Sequence, residues 1–211
     1  IKDDKVSVIY LGIDQKYLSS EKNNYYLDNF DYKNYIISVL SCVKYHNIIN
    51  LLKAFKLFKE GNKNNLKLVF VLQILDKKYF SEIKKFIDKN FFQNEIIFLY
   101  NLDNKYLVNL YKKANLFIFS SYCEVFGLTS LEAMTQNCPI AISNRSALPE
   151  INGDAVNYFD PDSIIEINES IKILTMNKEY TKNLILKANI HFKKFTWSKT
   201  VKETCRVLEI K

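Results

Sequence analysis

The chain has 211 residues, 48% of them hydrophobic, with only four glycines and three prolines. That length and apolar content allow one α/β domain with a sizeable core, and they exclude a collagen-like, linker-dominated or disordered chain. Lys and Arg outnumber Asp and Glu by 30 to 23, a net charge of +7 that suits an anionic ligand, a membrane surface or nucleic acid, or that reflects only a Lys/Asn-rich composition.

Residues 6–10 are mostly apolar and predict a short buried strand, closed by Gly12 and Asp14. Residues 15–34 are polar and aperiodic and read as a surface connection. Residues 35–40 (Tyr-Ile-Ile-Ser-Val-Leu) predict a second strand. A loop over 41–47 follows, with Asn47 as N-cap of a helix whose Ile48, Leu52, Phe55 and Phe58 share one face. Residues 66–72 predict a strand, and Tyr79, Ile83, Phe86 and Ile87 mark the next helix. A strand over 96–99 and a helix over 102–111, capped by Asp103 or Asn104, come next. Residues 116–119 (Leu-Phe-Ile-Phe) are apolar throughout, as a strand buried on both faces should be. After Thr129 the pattern turns helical. Residues 139–143 predict a strand, 144–154 a loop, and 155–159 a last strand. Asp162 or Ser163 caps a helix from Ile164 onward, and helices over 179–192 and 198–210 close the chain. In the last of these Trp197, Val201, Cys205 and Leu208 fall on one face, for packing across the domain or against a missing neighbour. Strands alternating with helices predict a doubly wound, Rossmann-like parallel sheet with extra helices at its C-terminal end.

The four cysteines, Cys42, Cys123, Cys138 and Cys205, are widely spaced and there are two histidines in all, so a zinc site is not expected. Reduced thiols in a cytoplasmic protein fit best. No apolar run reaches transmembrane length and no signal peptide opens the chain, which starts at Ile1 like a fragment of a longer protein.

The residues with most chemical content are 120–134. Glu124 sits on the loop after a strand, Glu132 in the first turn of the next helix, and Gly127 lies between them. In a doubly wound sheet that is where anionic ligands meet helix N-termini. The amides of Phe126, Gly127 and Leu128 are candidate donors, Gly127 permits close approach of the backbone, and Glu132 could accept from ribose hydroxyls. Thr129-x-x-Glu132 is equally a capping box, which needs no ligand, and the spacing leaves both readings open. Asp160-Pro161-Asp162 matches the Asp-x-Asp pattern of metal-dependent transferases, but its position makes it a helix start.

The run Phe119-Ser120-Ser121-Tyr122-Cys123-Glu124-Val125-Phe126-Gly127-Leu128-Thr129-Ser130-Leu131-Glu132-Ala133-Met134 resembles the Glu-x7-Glu motif of retaining GT-B glycosyltransferases, and is most similar to glycosyltransferase group 1, family 4. Other stretches resemble that family in the same order: residues 8–14, residues 98–102 with Leu107 and Leu110-Tyr111, Leu148-Pro149-Glu150-Ile151, Tyr158-Phe159-Asp160-Pro161, and Phe195-Thr196-Trp197. The resemblance covers nearly the whole chain. It implies a single nucleotide-sugar-binding domain over residues 1–211, the C-terminal half of a GT-B enzyme of polysaccharide biosynthesis. The N-terminal, acceptor-binding domain would be absent from this chain. The resemblance further implies that Glu124 contacts the transferred sugar, that Phe126, Gly127, Leu128 and Thr129 face sugar and diphosphate, that Glu132 holds the ribose, and that the backbone near Tyr100 and Leu102 holds the base. The implied partners are a nucleotide sugar, the N-terminal domain and a glycan or lipid-linked acceptor. Peripheral contact at the inner membrane surface is compatible with that, no divalent metal or other cofactor is expected, and nucleic acid is not.

The departures from the family pattern fall on the phosphate side. Ser41 stands where an Arg or similar polar residue is usual, and His46 where a Lys is usual, with Lys44 two residues earlier as a substitute from a shifted angle. His46 reads equally as a helix-entry residue beside Asn47. Leu72-Gln73 replaces a Gly-containing turn and should narrow the pocket. These departures motivate an alternative, a non-catalytic GT-B-like binding or partner module. A GT-B-like epimerase is a third reading, against which the Glu-x7-Glu spacing speaks.

Overall fold

The wholly apolar run Leu116–Phe119 lies in the middle of a sheet, with all four residues buried. The computed structural model describes residues 6–18, 25–62, 64–90 and 92–209. Six strands, β1 (Tyr35–Cys42), β2 (Lys67–Ile74), β3 (Ile96–Tyr100), β4 (Leu116–Phe119), β5 (Ile140–Ser143) and β6 (Asn157–Phe159), form one sheet in the order β3-β2-β1-β4-β5-β6. Every neighbouring pair is parallel, and the register sets Ile37 of β1 beside Val69 of β2 and Phe117 of β4. The strand order reverses between β1 and β4, and a crevice at their carboxyl ends is the consequence.

Helices α1 (Gln15–Leu18), α2 (Ile48–Gly61), α3 (Lys77–Lys89), α4 (Leu107–Lys113), α5 (Leu128–Thr135), α6 (Leu148–Asn152), α7 (Ile164–Met176), α8 (Lys178–His191) and α9 (Trp197–Val207) flank the sheet. The apolar face of α2 is buried as its periodicity demands, with Ile48, Leu52, Phe55 and Phe58 in the core and α7 packed beside it. Asp76 caps α3 by accepting from the Tyr79 amide, and Ser163 caps α7 by accepting from the Glu166 amide. Among the described residues no helix is long and apolar enough to cross a membrane.

Several elements differ from the sequence reading. Residues 6–10 form no strand: no strand of the sheet pairs with them, Val6 and Val8 are exposed, and Tyr10 packs its ring on Phe126 and Phe195 instead. Asn47 takes the N-cap position of α2 as expected but makes no side-chain cap; its backbone is left-handed (φ 57°) and its side chain donates to the Pro161 carbonyl, 2.7 Å away. The expected loop over 144–154 contains α6, with Pro149 in its first turn, where a missing N–H costs nothing. Asp103 does act as a cap, but of a 3₁₀ turn (Asn104–Tyr106) that precedes α4. The apolar face of α9 forms as spaced, yet α9 has no buried residue, and Trp197, Val201 and Leu208 are exposed.

Candidate functional site

A cleft of about 510 Å³ opens at the carboxyl ends of β1, β2 and β4. Of the residues singled out in the sequence, Ser41, His46, Leu102, Glu124, Gly127, Leu128 and Thr129 line it. Lys44, Tyr100, Phe126 and Glu132 do not belong to its wall, and each has a physical reason. Lys44 lies exposed on the 3₁₀ turn Lys44–His46. The Tyr100 ring, at the carboxyl end of β3, stacks back on Phe98, 6.0 Å between centroids. Phe126 turns its ring into the aromatic group with Tyr10 and Phe195.

Sequence reasoning missed Val39, Val71, Asn101 and Asn104, which also line the cleft. Asn101 carried a signal: an asparagine just beyond a strand, here at φ 46°, fits a left-handed turn that other side chains resist. Leu72 and Gln73 are on the wall, where their side chains occupy room that a glycine turn would leave open.

Glu124 is held by its backbone and by its side chain. Its amide donates to Ser146 Oγ (3.2 Å), and its carbonyl accepts from that hydroxyl (2.6 Å). Its carboxylate oxygen Oε1 lies 3.0 Å from His46 Nε2. The other imidazole nitrogen, Nδ1, lies 2.5 Å from the Ser41 carbonyl oxygen. His46 is buried at 7% exposure, so β1, the 3₁₀ turn and the loop after β4 meet at one ring.

Gly127 is the N-cap of α5, at φ 84° and with no side-chain cap. A Cβ there would lie 2.7 Å from Cδ2 of the fully buried Leu148. Gly127→Ala should therefore lose about 1–2 kcal/mol from the left-handed backbone alone, read as a lower urea midpoint at unchanged slope. The first-turn amides of α5 lack helical partners, as in any helix, and Gly127, Leu128 and Thr129, which carry them, line the cleft.

The capping box does not form. Gly127 takes the cap position, which leaves Thr129 inside the helix, and the Glu132 carboxylate accepts from the Tyr111 hydroxyl at 3.2 Å. Burial pushes Glu132 up to about 7, against the opposing pull of the neighbouring Tyr17 and Tyr111 hydroxyls. The same burial raises the Tyr111 phenol well above its ordinary range. Asp160 and Asp162 are engaged by Arg145, whose Nη2 lies 2.9 and 3.3 Å from their carboxylates. Among the described residues no group of three or more His, Cys, Asp or Glu side chains is arranged to hold a metal ion.

This chain is similar to several sugar-transferring proteins. A serotype-specific mannosyltransferase, WbdA of Escherichia coli, is 25% identical over 166 residues, 79% of this chain and 20% of that protein. The O-antigen chain mannosyltransferase RfbU of Salmonella typhimurium is 23% identical over 172 residues, 82% of this chain and 45% of that protein. The O-antigen chain mannosyltransferase B of Escherichia coli is 30% identical over 101 residues, 48% and 26% respectively. The chain thus spans less than half the length of each of these relatives. Among solved structures, a glycosyltransferase from Rickettsia africae superposes with a TM-score of 0.82 at 17% identity, over 100% of this chain and 59% of that one. The N-terminal domain of a trehalose-6-phosphate phosphatase from Candida albicans superposes at 0.80 and 17%, over 96% and 49%. At such identities the superpositions speak for the fold, a Rossmann-like sheet of GT-B type. A family model described as glycosyl transferases group 1 matches residues 21–191, most of the chain, and the protein belongs to that family.

Proposed function

We propose that this chain is the C-terminal, donor-binding half of a retaining GT-B glycosyltransferase of family 4. It would transfer a sugar from a nucleoside diphosphate to a glycan or lipid-linked acceptor. The observation that supports this reading best is the convergence of Glu124, held on two sides, and the glycine-led start of α5 on one cleft at the strand-order reversal. The α5 amides would meet the diphosphate, Glu124 the sugar, and the backbone at Leu102 the base. Glu132 would hold the ribose from behind the cleft wall, one of its oxygens being engaged by Tyr111. Because three relatives are named mannosyltransferases, a nucleoside-diphosphate mannose is the first donor to test. The acceptor would be held by an N-terminal domain outside this chain, with the enzyme in the cytoplasm against the inner membrane surface, and no divalent metal would be required.

The test is a calorimetric screen of UDP-, GDP- and ADP-sugars, repeated with Glu124→Ala and Glu132→Ala. Glu132→Ala should weaken nucleotide binding about tenfold, the worth of one good hydrogen bond to a charged group. Glu124→Ala should spare nucleotide affinity and erase discrimination between sugars. Measurable turnover by these 211 residues alone would overturn the assignment as half an enzyme. One observation favours a second reading, a non-catalytic binding module: among the described residues that line the cleft none is Lys or Arg. That reading gains if no donor binds even when an N-terminal half is supplied.

A further inference from the structure

We propose that His46 is a positioning residue for Glu124 and, through one proton that the pair shares, the one group on the cleft wall able to carry positive charge. The inference rests on the donor-site reading above and goes further, because it makes donor affinity depend on that proton.

The hydrogen-bond chemistry carries it. The Ser41 carbonyl oxygen can only accept, so Nδ1, 2.5 Å away, must carry a hydrogen. Nε2 then faces Glu124 Oε1 at 3.0 Å, and a bond there needs one more proton. It resides on nitrogen, as imidazolium beside carboxylate, or on oxygen, as imidazole beside carboxylic acid. Either way the pair as a whole is neutral. When the proton leaves, a nitrogen lone pair faces a carboxylate, the contact turns repulsive and the wall gains a negative charge.

The surroundings of His46 offer no substitute. The ring meets Tyr45 of its own turn and Phe119 of β4, at 4.5 and 5.6 Å between centroids. Ser120 of the following loop donates its hydroxyl to the His46 carbonyl, and Ser41 of β1 presents its own carbonyl. The titratable groups that these hydrogen bonds and ring contacts set against it are Tyr45 and Glu124. His46 and Glu124 are likewise the ionisable pair on the cleft wall. A lysine at this position would bring a permanent charge on a flexible stem. The imidazole is pinned through Nδ1, so it also fixes where the Glu124 carboxylate points.

The consequence is that a diphosphate meets a neutral wall while the proton is held and an anionic one after it is lost. Affinity for a nucleotide sugar, whose diphosphate has no ionisation of its own in this range, should fall as pH rises, by up to about tenfold per pH unit for one linked proton. Sugar discrimination should fall with it, as Glu124 loses its holder.

The experiment is calorimetric titration of the full chain with UDP-, GDP- and ADP-sugars, whose doubly esterified diphosphates take up no proton of their own between about pH 5 and pH 8, for wild type, His46→Lys and His46→Gln. Each is run in two buffers of different ionisation enthalpy, so that proton uptake is counted. Wild type should bind more weakly as pH rises and take up protons on binding. His46→Lys should bind with no slope, and His46→Gln should be flat and at least about tenfold weaker at the acid end. A wild-type slope retained in His46→Gln overturns the proposal while leaving the donor site standing. If no nucleotide sugar binds wild type or His46→Lys at any pH, the donor-site reading falls and this inference falls with it. Nitrogen-15 NMR of wild-type His46 checks the geometry without a ligand: hydrogen on Nδ1 is expected, and a neutral ring protonated only on Nε2 overturns the proposal.

Discussion

Glu132→Gln will leave the protein about as stable as wild type near pH 4 and make it more stable by about 3 kcal/mol near pH 8. The cause is burial. Helix α5 carries Glu132, half-buried, against Tyr111, and its carboxyl is raised from the ordinary 4.5 to about 7. Between those values the folded chain holds a proton that the unfolded chain has released. The stability this confers is complete below about pH 4.5 and is lost as pH rises through about 7, where the folded protein must ionise a buried group. Glutamine has the shape of the protonated acid and its oxygen can still accept from Tyr111, but it has no proton to lose. Urea midpoints at the two pH values read the effect directly. Identical pH dependence in the two proteins would mean that Glu132 is not the buried acid described here. A stability gain at pH 8 joined to weaker nucleotide binding would show the same carboxylate kept for its ligand at a structural cost.

The sheet was legible in the sequence because its strands are apolar runs bounded by polar loops. Leu116–Phe119 is read to the residue, while β1 and β2 each extend two residues past their predicted ends. Residues 6–10 carry the same apolar signal and form no strand, since hydrophobicity announces contact with the core and cannot say whether a neighbouring strand is free to pair. Of the site, Glu124 and the α5 start were legible because their chemistry sits within one loop. The partners were not. His46 meets Glu124 across 78 positions of sequence, and Asn47 reaches Pro161 across 114. A local pattern can offer Asn47 as a cap, but a tertiary acceptor that fixes the amide elsewhere outweighs it. The Glu132 capping box failed for a similar reason, as Gly127 took the cap position and Tyr111, on α4, supplied the donor. In α9 the period was right and the burial was not, because periodicity shows that a helix has an apolar side without naming what that side meets.

Gly12→Ala will undock α9 rather than unfold the sheet. A Cβ at Gly12 would stand 2.2 Å from the Trp197 amide nitrogen, 2.6 Å from the Thr196 carbonyl carbon and 2.7 Å from the Trp197 Cα. These are backbone atoms, so no rotamer change relieves the contact. The two segments are tied on either side of it, by the Ile13 amide to the Phe195 carbonyl (3.2 Å) and by the Thr200 hydroxyl to the Tyr10 carbonyl (2.7 Å). Overpacking of this kind costs about 1–3 kcal/mol. The cheapest relief is to release the element with least to lose, and α9 has no buried residue. Once free, a helix of 11 residues is marginal in water. Amides of α9 should therefore exchange about ten- to a hundredfold faster than in wild type, while those of β1 and β4 keep their protection. The effect should reach the cleft, because Tyr10, next along the same segment, packs on Phe126 and donates to Glu150 at 2.6 Å, and Phe126 adjoins Gly127. Weaker nucleotide binding with an intact sheet is the expected companion result. Unchanged exchange in α9 would show that the chain accommodates the methyl group elsewhere and that Gly12 does not hold the terminal helix to the domain.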